Sequence, residues 1–172
     1  MNEAGRIPIQ RFLELLFEPG DFFEVRAPDC RDRPEARYTY VCSGYFAHET
    51  LDHAAQAIAE LDRAGLAPAI YVPLNPVAPA LLARSVHRIK TRARETTQDK
   101  DVVRRRWLLV DVDPIRPAGV SSTGTELALA GERAHRVSVH LAESGWPAPI
   151  TLMSGNGYHL RYRVDMPVDD GG

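Results

Sequence analysis

The chain has 172 residues, 44% of them hydrophobic and 26% charged, and a net charge of −2. A chain of this length buries roughly 70% of the surface it exposes when unfolded, so a core forms without disulfides or structural zinc. The near balance of charge excludes a uniformly basic nucleic-acid coat, and no apolar run reaches the ~18 residues of a membrane span. MNEAGRIPIQRF lacks the apolar core of a signal peptide, and the two cysteines, Cys30 and Cys42, do not make a secreted disulfide scaffold. A cytoplasmic protein with no membrane partner, or a piece of one, is the expectation.

In chain order, Phe12 to Phe17 predicts a short helix stopped by Pro19-Gly20. Asp21 to Arg26 and Tyr38 to Tyr45 read as strands rich in aromatic and valine residues. Leu51, Ala54, Ala55, Ile58 and Leu61 recur at helical spacing, with Gly65 as the C-terminal cap. Ala69 to Leu74 reads as a short strand, and Leu81-Leu82 as a brief helix before a basic loop. Trp107 to Asp113 is an apolar strand ended by Pro114. Thr123-Gly-Thr-Glu126 fits a capping box, followed by a helix with Leu127, Ala130, Ala134, Val137 and Leu141 on one stripe, ended by Gly145 and Pro147. Pro149 to Ser154 and Tyr158 to Val164 flank Gly155-Asn156-Gly157, a hairpin signal. Residues 107–164 therefore read strand, helix, strand, strand, with the helix across one face of a sheet. The chain is mixed α and β, with two lobes and a seam around residues 84–106. Its last residues, Asp169-Asp170-Gly171-Gly172, follow a strand with no closing helix, so a longer protein is expected.

Charge is unevenly placed. Residues 84–106 hold nine basic side chains against three acidic, a local +6 that leaves −8 for the rest. Such clustering suits a phosphate or nucleic-acid contact, and equally a solvated loop.

Chemistry concentrates in the second half. Asp111 and Asp113, two residues apart on a strand, share a face at about 6 to 7 Å spacing. Two carboxylates ending an apolar strand are costly unless a positive group neutralises them, and Mg²⁺ suits one or two carboxylates with substrate phosphates; plain exposure, with Asp113 starting a turn before Pro114, explains them as well. His159, Arg161 and Arg163 share one face of the last strand, and guanidinium groups fork onto phosphate oxygens. A solvent-exposed alternating face explains the same three residues, as a turn explains Gly155 and Gly157. Cys30, Cys42, His48 and His53 lack zinc-ligand spacing. There is no phosphate-loop motif, dinucleotide fingerprint or nucleophile elbow.

The combination of Asp111-Val112-Asp113 with Gly157-Tyr158-His159, inside RRRWLLVDVDPIRPAGVSST and SGNGYHLRYRV, resembles the archaeo-eukaryotic primase superfamily. It is most similar to the primase-polymerase domains that begin phage and plasmid replication proteins, over roughly residues 66–168 and including YVPLNPVAPALLAR. The resemblance implies an α+β, two-lobed fold. Residues 1–65 would form an N-terminal α/β part, and residues 66–172 an RRM-like catalytic part incomplete at its C-terminus. It implies a template-dependent nucleotidyltransferase in the replication of a phage, plasmid or other mobile element, acting on a DNA template and primer with NTP or dNTP. Asp111 and Asp113 would be catalytic ligands of Mg²⁺ or Mn²⁺. His159 would be catalytic and touch the triphosphate, assisted by Arg161 or Arg163 and by Ser122 at the helix start, while Arg104, Arg105 and Arg106 would meet template phosphates. The family's third motif, a hydrophobic residue before a metal-binding aspartate, is matched in letters by Val164-Asp165 but only six residues after His159. The third carboxylate is therefore expected beyond Gly172, with a helicase or other domain following. A metal-dependent nucleotide-sugar glycosyltransferase and a non-catalytic nucleic-acid-binding replication module are the alternative readings.

Overall fold

The structure, a computed structural model, describes residues 3–117 and 119–168; the expected chain-end features at 169–172 lie outside the described residues. The chain is α+β and divides into two compact units. One comprises the chain up to Arg105 with the chain from Met166, and the other Arg106–Asp165. Residues 66–105, assigned by sequence to the catalytic part, pack within the first unit.

In the first unit, α1 (Glu3–Leu16) starts well before Phe12 despite Pro8. Pro8 is the sixth residue of this helix and has no N–H to reach back four residues, so the helix runs through it with that ladder bond missing. Leu13, Leu16 and Phe17 are buried, and the Phe17 ring stacks on Phe23 at 4.3 Å. Strands β1 (Phe22–Cys30) and β2 (Tyr40–Ala47) form an antiparallel pair from Phe22–Ala47 to Ala27–Cys42. The register then shifts before Cys30–Tyr40, where Pro28 has no N–H to give and Asp29 takes φ 54°. Helix α2 (Leu51–Ala64) buries Leu51, Ala54, Ala55 and Ile58 and ends at Gly65 in the left-handed region, φ 64°. Cys30 and Cys42 are core residues beside each other, and burial with Cys30 as neighbour pushes the Cys42 thiol up to about 12. At neutral pH it stays protonated and serves packing rather than nucleophilic chemistry.

The strand expected over Ala69–Leu74 does not form. A single pair remains, Arg26 with Tyr71, joined by reciprocal backbone bonds of 2.9 and 2.7 Å. Pro68, Pro73 and Pro76 withhold the donors a ladder would need. The brief helix is a 3₁₀ turn, Pro79–Arg84.

The basic stretch that follows is not a free loop. It lies along β2, with backbone pairing of Tyr45 to Val86 and Ser43 to Lys90, and Ala93 N–H donates to the Val41 carbonyl at 2.9 Å. Gly44 makes this approach possible. A Cβ there would overlap the Arg88 carbonyl oxygen and stand 2.7 Å from its carbon and 2.9 Å from Ile89 Cα, all backbone. Gly44→Ala is therefore expected to cost about 1 to 3 kcal/mol, as overpacking does. Urea denaturation reads the loss, and hydrogen exchange at Lys90 and Ala93 reads release of the strap.

Strands β3 (Arg104–Val112), β5 (Tyr158–Pro167) and β4 (Ile150–Met153) form one sheet in that order, all but the outer ends of β3 and β5 belonging to the second unit. Helix α3 (Gly124–Glu143) contributes Ala134, Val137 and Leu141 to a core with Val112, Leu160 and Tyr162. Trp146 meets the Tyr162 ring edge-on at 5.4 Å. The expected hairpin is present: Gly155 takes φ 94°, and Ser154 N–H donates to the Gly157 carbonyl at 3.0 Å. Among the described residues no helix is long and apolar enough to cross a membrane.

Candidate active site

Three contacts fix how β3 pairs with β5. Arg163 lies over the Trp107 ring at 5.5 Å, His159 Nε2 stands 3.4 Å from Asp111 Oδ1, and Gly157 abuts Asp113. Residue numbers rise on one strand as they fall equally on the other, so the pair is antiparallel and in register. On the other edge of β5, Arg161 faces Ile150 and His159 faces Leu152 of β4. Side-chain alternation then separates two faces. Val112, Leu160 and Tyr162 belong to the core shared with α3, and Asp111, His159, Arg161 and Arg163 occupy the opposite face.

Asp111 and His159 meet at one end of that face. The Asp111 side chain is 54% exposed and that of His159 29%, so both are reachable by a hydrated ligand. Asp113 follows the strand end, exposed, before Pro114. Gly157 holds this corner together by having no side chain. A Cβ there would overlap Asp113 Oδ1 and stand 2.6 Å from the Val112 carbonyl oxygen. Asn156 fastens the turn to the segment before α3: Ser122 N–H donates to its side-chain oxygen at 3.1 Å and Ser122 Oγ to its carbonyl at 2.6 Å.

These contacts sort the other residues singled out by sequence. Arg161 is the next residue after His159 on the same face, half-buried, its pKa lowered by that burial. Arg163 lies about 13 Å farther along β5 than His159 and is engaged with Trp107. Ser122 uses both its donors on Asn156, so neither is left for a phosphate. The start of α3 is likewise occupied. Glu126 accepts from Thr123 N–H at 2.8 Å and from its hydroxyl at 2.9 Å, and these bonds hold the Glu126 carboxyl below its ordinary value. That carboxylate takes the anion position at the helix terminus. Of the three consecutive arginines, Arg104 and Arg105 are exposed, whereas Arg106 is only 5% exposed and so is withdrawn from solvent-borne phosphates. Asp165 takes φ 51° about 20 Å along β5 from His159, too far to join Asp111 around one ion.

Carboxylate oxygens are the donor type that a hard divalent cation takes. Asp111 and Asp113 are two carboxylates at strand spacing, and Mg²⁺ is held by one or two such groups with the remaining positions filled by water and phosphate. Among the described residues no three His, Cys, Asp or Glu side chains come together in a group that could hold a metal ion, so any ion here would rest on two carboxylates with water and phosphate. Comparison with protein-family models, curated proteins and solved structures finds no match to this chain.

Sequence reading missed Asn156 as the anchor of the turn and Gly157 as the residue packed on Asp113. An Asn-Gly pair reads as a turn whatever it touches. The signal for a second role was the small residue two places before His159.

Proposed function

We propose that this chain is a template-dependent nucleotidyltransferase of the primase-polymerase type. It would transfer a nucleotide from NTP or dNTP to a 3′-hydroxyl on a DNA template during replication of a phage, plasmid or other mobile element. The observation that carries this reading is the contact of His159 with Asp111 on the face away from α3, beside the corner where Gly157 abuts Asp113. The resemblance of both motifs to the primase superfamily supports it independently.

Asp111 and Asp113 would hold Mg²⁺ or Mn²⁺, which when bound neutralises phosphate charge and lowers the pKa of an attacking hydroxyl. The chain's own residues do the rest by position. Asp111, 3.4 Å from His159 Nε2, would position the ring. The imidazole and the Arg161 guanidinium, neighbours on one strand face, would bind the β- and γ-phosphate oxygens, which leave as pyrophosphate when the 3′-oxygen bonds to the α-phosphorus and the bond from that phosphorus to the β-phosphate breaks. Gly157 lets the start of β5 lie against the end of β3, and the Asn156–Ser122 bonds hold the turn before it, so that both halves of the site would act on one nucleotide.

Primed-template extension with Mn²⁺ tests the reading. Asp111→Asn and Asp113→Asn should each lower the rate about a thousandfold, the equivalent of roughly 4 kcal/mol of charge stabilisation. His159→Ala should lower it about a hundredfold with a raised KM for the nucleotide. Extension unaffected by either aspartate variant would contradict the assignment. Template-independent turnover of a nucleotide sugar, lost in the same variants, would replace it with glycosyl transfer.

A further inference from the structure

The first unit carries a cleft of about 530 Å³ whose lining includes Arg84, Lys90, Arg92 and Arg94 with a single acid, Glu95. We propose that this cleft binds the phosphodiester backbone of a single-stranded polynucleotide, as a site separate from Asp111 and His159. The choice of a polynucleotide among phosphate-bearing ligands rests on the nucleotidyltransferase reading; the cleft itself does not.

The cations are held in place before any ligand arrives. Their segment is strapped to β2 by the Ser43–Lys90 and Tyr45–Val86 pairs and the Ala93–Val41 bond, over Gly44. Arg84 donates to the Tyr45 hydroxyl at 3.3 Å and to the Thr96 carbonyl at 3.2 Å, which fixes the far wall. Beyond the cleft, the Thr97 N–H donates to the buried Glu24 carboxylate at 3.1 Å, anchoring the end of the strap. A loop that merely keeps a protein soluble needs none of this ordering, and a preorganised site spends less entropy on binding.

The charge is also left available. Arg84 pairs with Glu95 at 3.4 Å and Arg92 with Asp32 at 2.6 Å, but Glu95 is 72% exposed and both side chains of the second pair 61%. Exposed pairs of this kind are weak and exchange readily for a better anion. Lys90 and Arg94 are exposed and pair with no acid among the described residues. Arg92 lies 4.4 Å over the Tyr40 ring, a contact that helps hold its guanidinium at the cleft. Lys90, Arg92 and Arg94 line this one cleft from either side of a turn at Thr91–Arg92, where Arg92 takes φ 53°. Several cations gathered in one cleft suit a polyanion that presents several phosphates.

The test is binding of a fluorescein-labelled oligo(dT) to the 172-residue chain in EDTA, across a salt series, so that the metal-dependent site is silent. Lys90→Ala/Arg94→Ala removes two exposed side chains and leaves the strap's backbone bonds in place, so its melting temperature should match wild type. It should bind about tenfold more weakly at low salt, and the slope of log K against log salt should shrink by about 1.4, two single-strand contacts. Asp111→Asn should bind the strand as wild type does. An unchanged affinity and slope in the double variant would overturn the proposal. So would inorganic triphosphate displacing the strand at concentrations near the strand's own Kd, since the site would then be one for free polyphosphate. If the wild type fails to bind oligo(dT) yet binds triphosphate with Mn²⁺, the cleft proposal falls and the nucleotidyltransferase reading stands.

Discussion

Gly157→Ala is expected to reduce nucleotidyl transfer by about a hundredfold or more, the scale on which a misplacement of about 1 Å acts. The added methyl would meet three groups at once. The Asp113 carboxylate would rotate aside cheaply, but the Val112 carbonyl oxygen at 2.6 Å and Asp113 Cα at 3.2 Å are backbone and cannot. The start of β5 would have to move away from the end of β3, taking His159 from Asp111, which now stand 3.4 Å apart. Gly155→Ala is the control. It meets nothing within 4 Å, but its φ of 94° strains any side chain, at about 1 to 3 kcal/mol. The two variants should therefore separate: Gly155→Ala loses stability and keeps most of its rate, and Gly157→Ala loses its rate beyond what its stability explains. Equal activity in the two, measured on folded protein, would show that the contact with Asp113 does not position the site.

Glu24→Ala carries the largest expected loss of stability. The Glu24 carboxylate is 2% exposed on β1 and accepts from Ser43 Oγ at 2.5 Å, from Arg26 at 2.6 Å and from Thr97 N–H at 3.1 Å. Burial alone would raise its pKa; the bonds from Arg26, Ser43 and Thr97 together outweigh burial and hold it below its ordinary value of 4.5. Removing the carboxylate leaves these donors facing a cavity. Fully buried pairs lose 3 to 5 kcal/mol when broken, and because Arg26 remains 34% exposed the expected cost is about 2 to 4 kcal/mol. The pH dependence follows from the direction of the shift. The unfolded chain binds the proton more readily than the native state, so the carboxylate's contribution is complete above about pH 4.5 and is lost as pH falls through the depressed native pKa. Wild type should thus lose stability on acidification below pH 4.5 more steeply than Glu24→Ala, read by urea midpoints across that range. Parallel curves would show that Glu24 is not held as a buried carboxylate.

Local chemistry decided what was legible in the sequence. The capping box Thr123–Glu126, the Gly65 cap and the turn at Gly155 each depend on a few adjacent residues, and all three stand where periodicity and turn chemistry put them. The period-2 pattern of β3 and β5 likewise separated the Asp111–His159 face from the face toward α3. Contacts between distant segments left no such trace. The basic stretch has the composition of a loop, and only Gly44, 44 residues earlier in numbering than Arg88, reveals that a backbone lies against it. Glu24 sits among aromatic and valine residues like any strand carboxylate on an exposed face, and its partners Ser43 and Thr97 lie 19 and 73 residues away. The expected strand at Ala69–Leu74 failed for the opposite reason: apolar pattern was present, but proline withheld the donors.

The most direct test of the central claim is binding of a labelled deoxynucleoside triphosphate to the wild-type chain, with and without Mn²⁺, beside Asp111→Asn/Asp113→Asn and His159→Ala. The account predicts binding that requires Mn²⁺, is abolished by the double aspartate change and is weakened about tenfold or more by the loss of the imidazole. Mn²⁺-dependent binding that persists undiminished in both variants, each shown to be folded, would place the triphosphate elsewhere and contradict the assignment of Asp111, Asp113 and His159.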